Sequence, residues 1–226
     1  MIKYIHSNSI RTLKFIAPTL LYFILLLVLY SYKNVESLAS YSISCLIIYL
    51  ISIWISYILF TMDNNEEKKF IISLLASKKR YLLYKFIYIQ MIMFAYSLVA
   101  IIYPLLFGIF SNTVSIKQFL IVLIVHLLIA NFATIIIMYF TLTRLANKKY
   151  TIPGILLVSL ISIVIRLIPK PISYIYVLFP PINLLTDFEL YINIINLALI
   201  IIVYGILYIL VNVVLITHFF EKNEYY

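Results

Sequence analysis

Glycine occurs only three times in this 226-residue chain, cysteine once, and charged residues make up 11%. Each scarcity excludes something. A single cysteine, Cys45, rules out an internal disulfide and reads as a small apolar filler. Three glycines cannot build a phosphate-cradling loop, and no G-x-x-x-x-G-K-[ST] occurs. A soluble domain is about 45–50% apolar and about 25% charged. Here 65% of residues are hydrophobic and mean hydropathy is +1.11, so a chain of this size cannot hide its apolar surface from water. The bilayer is the expected solvent. Few turn residues and no sustained apolar/polar alternation exclude an outer-membrane barrel and leave helices.

Catalytic patterns are absent too. There is no H-E-x-x-H, no Cys/His cluster and no G-x-S-x-G, and His6, His126 and His218 are far apart in sequence. Asp187 and Glu189 read as solvated. No catalytic residue, metal site or cofactor on this chain is expected, and a membrane-embedded lipid-modifying enzyme is poorly supported.

What is present is a series of apolar runs. A spanning helix needs roughly 20 mostly apolar residues. Six are expected, at about residues 15–31, 43–62, 86–110, 119–143, 152–167 and 192–217, forming one all-α membrane domain over 1–226. The first run is followed by five more, so it reads as a span and not as a cleaved leader. An even count puts both termini on one side. Thirteen of the 17 Lys and Arg fall on that side: Lys3, Arg11, Lys14, Lys68, Lys69, Lys78, Lys79, Arg80, Lys85, Arg144, Lys148, Lys149 and Lys222. The opposite side holds Lys33, Lys117, Arg166 and Lys170. Positive charge accumulates in cytoplasmic loops, so both termini are expected inside.

Residues 166–190, RLIPKPISYIYVLFPPINLLTDFEL, are apolar but interrupted by Pro169, Pro171, Pro180 and Pro181. Proline lacks a backbone donor and stops a continuing helix. Short helical pieces in the outer leaflet, or a tyrosine-rich interfacial loop, are the two readings. The 21 tyrosines are expected mainly at span ends, where aromatic rings favour the interface. A tyrosine- and phenylalanine-lined path for an amphipathic substrate is the alternative.

Polar groups inside spans are costly in hydrocarbon and are weighed singly. His126 and Asn131 in the fourth run read as helix-to-helix hydrogen-bonding groups, with a substrate path as the alternative. Ser52 and Ser56, one turn apart, read as packing residues. Gln90 reaches toward an interface. No acid lies deep within a run, which argues against a proton- or sodium-coupled carrier.

The most informative stretch is residues 64–86, NNEEKKFIISLLASKKRYLLYKF. Asp63 or Asn64 can cap a helix, and Glu66 or Glu67 can complete a capping box. Phe70, Ile71, Leu74 and Leu75 share one helical face, while Glu66, Lys69, Ser73, Ala76 and Arg80 share the other. Acids at the start and Lys78, Lys79 and Arg80 at the end suit the helix dipole. Such a helix either rests on anionic lipid or docks its apolar face into a partner. The two acids favour docking, although capping alone accounts for them.

This stretch resembles the loop between the second and third spans of ABC-2-type permeases, the membrane subunits of one class of ABC transporters. The matching features are the acids Glu66 and Glu67, the Leu74–Leu75 pair, the small Ser77, the basic Arg80, and Lys85 entering the next helix. The glycine before the leucines and the proline after them are missing. YVLFPPINLL is similar to the proline-containing segment of the family's outer hairpin between spans five and six. The resemblance implies a bacterial cell-membrane exporter that pairs with a second permease copy or paralogue and with cytoplasmic ATPase subunits. ATP and Mg would bind to those subunits, and the loop would be the coupling helix. An amphipathic or hydrophobic cargo such as a peptide is implied. The alternative is a non-transporting polytopic protein, an assembly factor or a sensor module. Nucleic acid is not an expected partner.

Overall fold

A computed structural model describes residues 1–143, 148–164, 179–180, 182–192 and 194–222. Among these residues the only regular elements are helices. They are α1 (Ile2–Arg11), α2 (Ile16–Leu29), α3 (Ser37–Thr61), α4 (Asn65–Leu75), α5 (Lys78–Leu106), α6 (Ile116–Leu142), α7 (Lys148–Val164), α8 (Ile182–Thr186), α9 (Phe188–Tyr191) and α10 (Ile195–Lys222). Four of them, α3, α5, α6 and α10, are long and apolar enough to cross a bilayer. The bent pair α1–α2, folded by 83° at residues 12–15, makes a fifth if counted as one span. The shorter α7 is apolar but has 17 residues. This is the architecture of a multi-pass membrane protein. The expected run 152–167 extends past α7 into residues outside the described set, as do Arg144, Arg166, Pro169, Pro171 and Pro181. After Pro180 the chain forms the two short helices α8 and α9.

The outer surface explains why lipid is needed. Leu20, Ile24, Leu27, Leu156, Leu160, Ile200, Leu207 and Val214 are all more than half exposed or nearly so. Side chains of this size on every flank would aggregate in water. Inside, α3 and α6 are mostly buried, whereas only a minority of α5 and α10 is buried.

Side-chain pairs fix the directions of the helices. Lys85 with Leu59, Met93 with Ser52 and Ile101 with Tyr41 make α3 and α5 antiparallel. Ser44 with His126 and Ser56 with Thr134 make α3 and α6 parallel. Phe132 against Tyr208 and Tyr139 bonded to Asn212 make α6 and α10 parallel. One end of the bundle therefore collects the C-terminal turns of α3, α6 and α10, the start of α5, and α4. This is the charged end of the bundle.

Small polar residues let the helices approach closely. Ser52 and Ser56 are fully buried, Ser52 donating to the Met93 sulfur at 2.8 Å and Ser56 lying 3.1 Å from the Thr134 hydroxyl. On α7, a Cβ added to Gly154 would meet the Phe140 ring at 2.4 Å. Several tyrosines pack inside the bundle. Tyr22, Tyr41, Tyr49, Tyr81 and Tyr191 are fully buried. Three of the phenols reach backbone carbonyls: Tyr22 to Tyr96 at 2.5 Å, Tyr41 to Ile101 at 3.4 Å, and Tyr191 to Leu185. The phenol supplies apolar area and a donor together, and these three donors find partners inside the bundle.

Candidate functional site

The site is built where the chain turns from α3 into α5. Asn64 is the N-cap of α4: its side chain accepts from the Glu67 amide at 2.8 Å, and Glu67 accepts from the Asn64 amide at 3.1 Å. Both halves of a capping box are thus present, and Glu66 is left exposed in the first turn. The helix stops at Leu75, after about three turns. Ala76 takes the left-handed conformation at φ 51°, and Ser77 caps α5 by accepting from the Arg80 amide at 3.3 Å.

That corner corrects the expected basic end of the amphipathic helix. Lys78, Lys79 and Arg80 are in the first turn of α5 and do not end α4. The dipole there disfavours positive charge. Neighbours from α10 compensate. Lys79 pairs with the Glu221 carboxylate at 3.2 Å, and Lys78 donates to the Glu221 carbonyl at 3.4 Å. The Lys78 and Lys68 ammonium groups lie 5.8 and 5.1 Å from the centre of the fully buried Phe220 ring.

The faces of α4 also differ from the expected split. Ile71 and Lys68 are buried and Leu75 is half-buried, whereas Phe70 and Leu74 are 63% and 70% exposed. The expected apolar face is divided, because a lysine takes an inward position beside Phe220. Phe70 and Leu74, one turn apart, are left as an apolar pair facing outward beside Glu66, Lys69 and Ser73.

Beneath α4 lies an ion pair that was not singled out in the sequence. Lys85 Nζ is 2.6 Å from Asp63 Oδ2, with both side chains at most 2% exposed. Lys85 also donates to the Leu59 carbonyl at 2.7 Å, and the Tyr81 hydroxyl donates to Asp63 at 2.8 Å. The Tyr81 ring stands 4.8 Å from the same ammonium. Two charges out of water need this much company, because desolvation otherwise exceeds their attraction. The readable signal was a lone acid just past one apolar run and a lone lysine one turn after Tyr81 on the next, joined by a short connection.

Beside this pair opens a cleft of about 630 Å³ between the charged-end turns of α3, α4, α6 and α7. Tyr57, Phe60 and Phe140 line it with Asp63, Asn64 and Lys68. Burial, reinforced by the nearby Lys85 and Lys78 and opposed by Asp63, lowers the Lys68 amine to about 7.

His126 and Asn131, the two path candidates, are not brought to this end. His126 is fully buried, with Nε2 2.8 Å from the Ser44 hydroxyl, and Nδ1 2.8 Å from the Val122 carbonyl and 3.2 Å from the Cys45 sulfur. It ties α6 to α3. Asn131 donates to its own helix at Leu127, 2.8 Å away, and lines a shallow groove with Gln90, whose buried amide has no hydrogen-bond partner. No group of three or more metal-ligating side chains occurs among the described residues. Compared with known proteins, the chain matches no family model, no curated protein and no solved structure.

Proposed function

We propose that this chain is the permease subunit of an ATP-driven exporter of the ABC-2 type, with six spans and both termini in the cytoplasm. The observation that carries this reading is the α3–α4–α5 elbow. A short, doubly capped helix presents Phe70 and Leu74 outward, while its base is tied into the bundle through Asp63, Tyr81 and Lys85. An exposed apolar pair on a rigid helix suits helix-in-groove docking, and flanking charges suit the fixing of register. With no phosphate loop on this chain, the engine belongs to cytoplasmic ATPase subunits that bind ATP and Mg. A second permease copy or paralogue completes the complex.

In this mechanism ATP-driven closure of the partner moves α4, and the buried ion pair passes the displacement to α3 and α5 together. A switch of this kind requires the partner to bind the two permease states with different affinity. Export of an amphipathic or hydrophobic cargo, such as a peptide, follows from the family resemblance and the apolar bundle. The proline-broken segment around α8 and α9 would close the outer side.

Co-purification of the chain from its native membrane, probed for a nucleotide-hydrolysing partner, is the test. We expect a stable complex that is weakened by Phe70→Ala with Leu74→Ala and by charge reversal at Glu66 and Glu67. If no nucleotide-hydrolysing protein associates and the charge reversal leaves export unaltered, the reading is wrong.

A further inference from the structure

We propose that the groove between α5 and α6 is the contact surface for a second copy of this chain, closed by reciprocal hydrogen bonds between the two Gln90 side chains. The groove, about 450 Å³, is lined by Gln90 and Asn131 with Ile87, Met91 and Phe94 beside them. Gln90 Nε2 and Oε1 are both buried, and neither has a hydrogen-bond partner. Asn131 does not serve it, because its own amide nitrogen donates to the Leu127 carbonyl at 2.8 Å. A primary amide carries two donors and an acceptor, and leaving them unmet away from water costs more than an ordinary hydrogen bond returns.

Depth decides the occupant. Gln90 lies near the middle of α5 and Asn131 near the middle of α6, both helices long enough to cross a bilayer. Lipid tails at that level offer neither donor nor acceptor, and headgroups are about half a bilayer away. A second copy offers both. Two copies inserted the same way round are related by a two-fold axis along the membrane normal, which brings identical residues together at equal depth. Glutamine is self-complementary there, each amide donating to the other's oxygen. The surface around it has the spacing of a helix seam. Leu83, Ile87, Gln90 and Phe94 recur at intervals of four, three and four residues, the pattern of packed helices in which a single polar position fixes register. Leu83, Ile87, Met91 and Phe94 are exposed on the single chain. Gln90 is only half-buried as a residue, so a change of rotamer carries its amide from the groove wall to the seam. The seam gives a place to the second copy in the transport reading and, as part of a transport path, rests on that reading; the self-association itself needs no ATPase and is measured without one.

Cross-linking provides one arm. The full chain carrying Met91→Cys, beside Gln90 on the exposed seam, should form a disulfide-linked dimer when oxidised in liposomes of phosphatidylcholine mixed with phosphatidylglycerol. Leu160→Cys on α7, similarly exposed, should not, and neither should wild type, whose Cys45 is fully buried. The second arm is the dimer dissociation constant in the same liposomes, read by energy transfer between labelled copies as they are diluted in lipid. Gln90→Leu should weaken the dimer on the order of tenfold, the scale of one or two interhelical amide bonds in lipid. It should leave the thermal midpoint of the dilute monomer unchanged or raised, because no bond within the monomer is lost. A chain that stays monomeric, cross-linking at Leu160→Cys equal to that at Met91→Cys, an unchanged dissociation constant in Gln90→Leu, or a Gln90→Leu monomer that melts early would overturn the proposal. A dimer that survives Gln90→Leu unweakened would move the second copy of the transport reading to another face, so the two failures are told apart.

Discussion

The two ends of the α3–α5 pair are fastened by opposite means. At the charged end a buried carboxylate and ammonium, 2.6 Å apart, are braced by Tyr81 and the Leu59 carbonyl. At the other end the fastening is neutral. Val35 donates to the Ile109 carbonyl at 3.3 Å and accepts from the Ser111 amide at 3.0 Å. Asn112 donates to the Ser37 hydroxyl at 3.0 Å and accepts from its amide at 3.2 Å. Neutral bonds of this kind contribute about 0.5–1.5 kcal/mol each and fail one at a time. An ion pair fails all at once, because either charge left alone in the interior is intolerable. The end that carries α4 is thus the one built to hold its geometry or lose it entirely.

Breaking the charged fastening should have the largest effect. Lys85→Met is expected to destabilise by about 3–5 kcal/mol, read as a fall in the thermal midpoint of the purified protein. The double change Asp63→Leu with Lys85→Met should recover most of that loss, since neither member of the pair is left buried without the other. If the single change is no worse than loss of a neutral bond, the contrast between the ends is not real.

Next comes pH. Lys68 holds its proton less tightly folded, at about 7, than unfolded, near 10.5. Between those values the unfolded chain binds more protons, so stability should rise with pH from about 7 to about 10.5 and level off on either side. Lys68→Met should remove that rise, measured as thermal midpoint against pH.

At the neutral end Asn112→Ala should cost about 1–2 kcal/mol with no change in pH response, because its two bonds to Ser37 are uncharged. The smallest effect belongs to the cap. Asn64→Ala should cost about 1 kcal/mol, seen as faster amide exchange in residues 65–68 with the rest of the bundle unmoved.

The four long apolar helices and their order were readable from apolar runs, since lipid rewards continuous hydrophobicity, whereas α1 was not. Their ends were less so. α3 begins at Ser37 and not near residue 43, because Ser37, Ser40 and Ser44 look polar in sequence yet are buried against neighbouring helices and bonded. α5 begins at Lys78 and not near residue 86, because Lys85 can enter the helix only with Asp63 beside it. The capping box of α4 is local chemistry, so it could be narrowed in sequence to Asp63 or Asn64 with Glu66 or Glu67, and the structure selects Asn64 and Glu67. The inward turn of Lys68 depends on Phe220, far along the chain, and no local pattern contains it.

That distance has a consequence for biogenesis. The ring that steadies Lys68 and Lys78 belongs to α10, which the ribosome makes long after α4 and the start of α5. A nascent chain that has already threaded its earlier helices therefore still lacks the wedge that closes their corner. Assembly with any outside protein at that corner would then have a built-in timer, running until the Phe220 turn is translated and swings back.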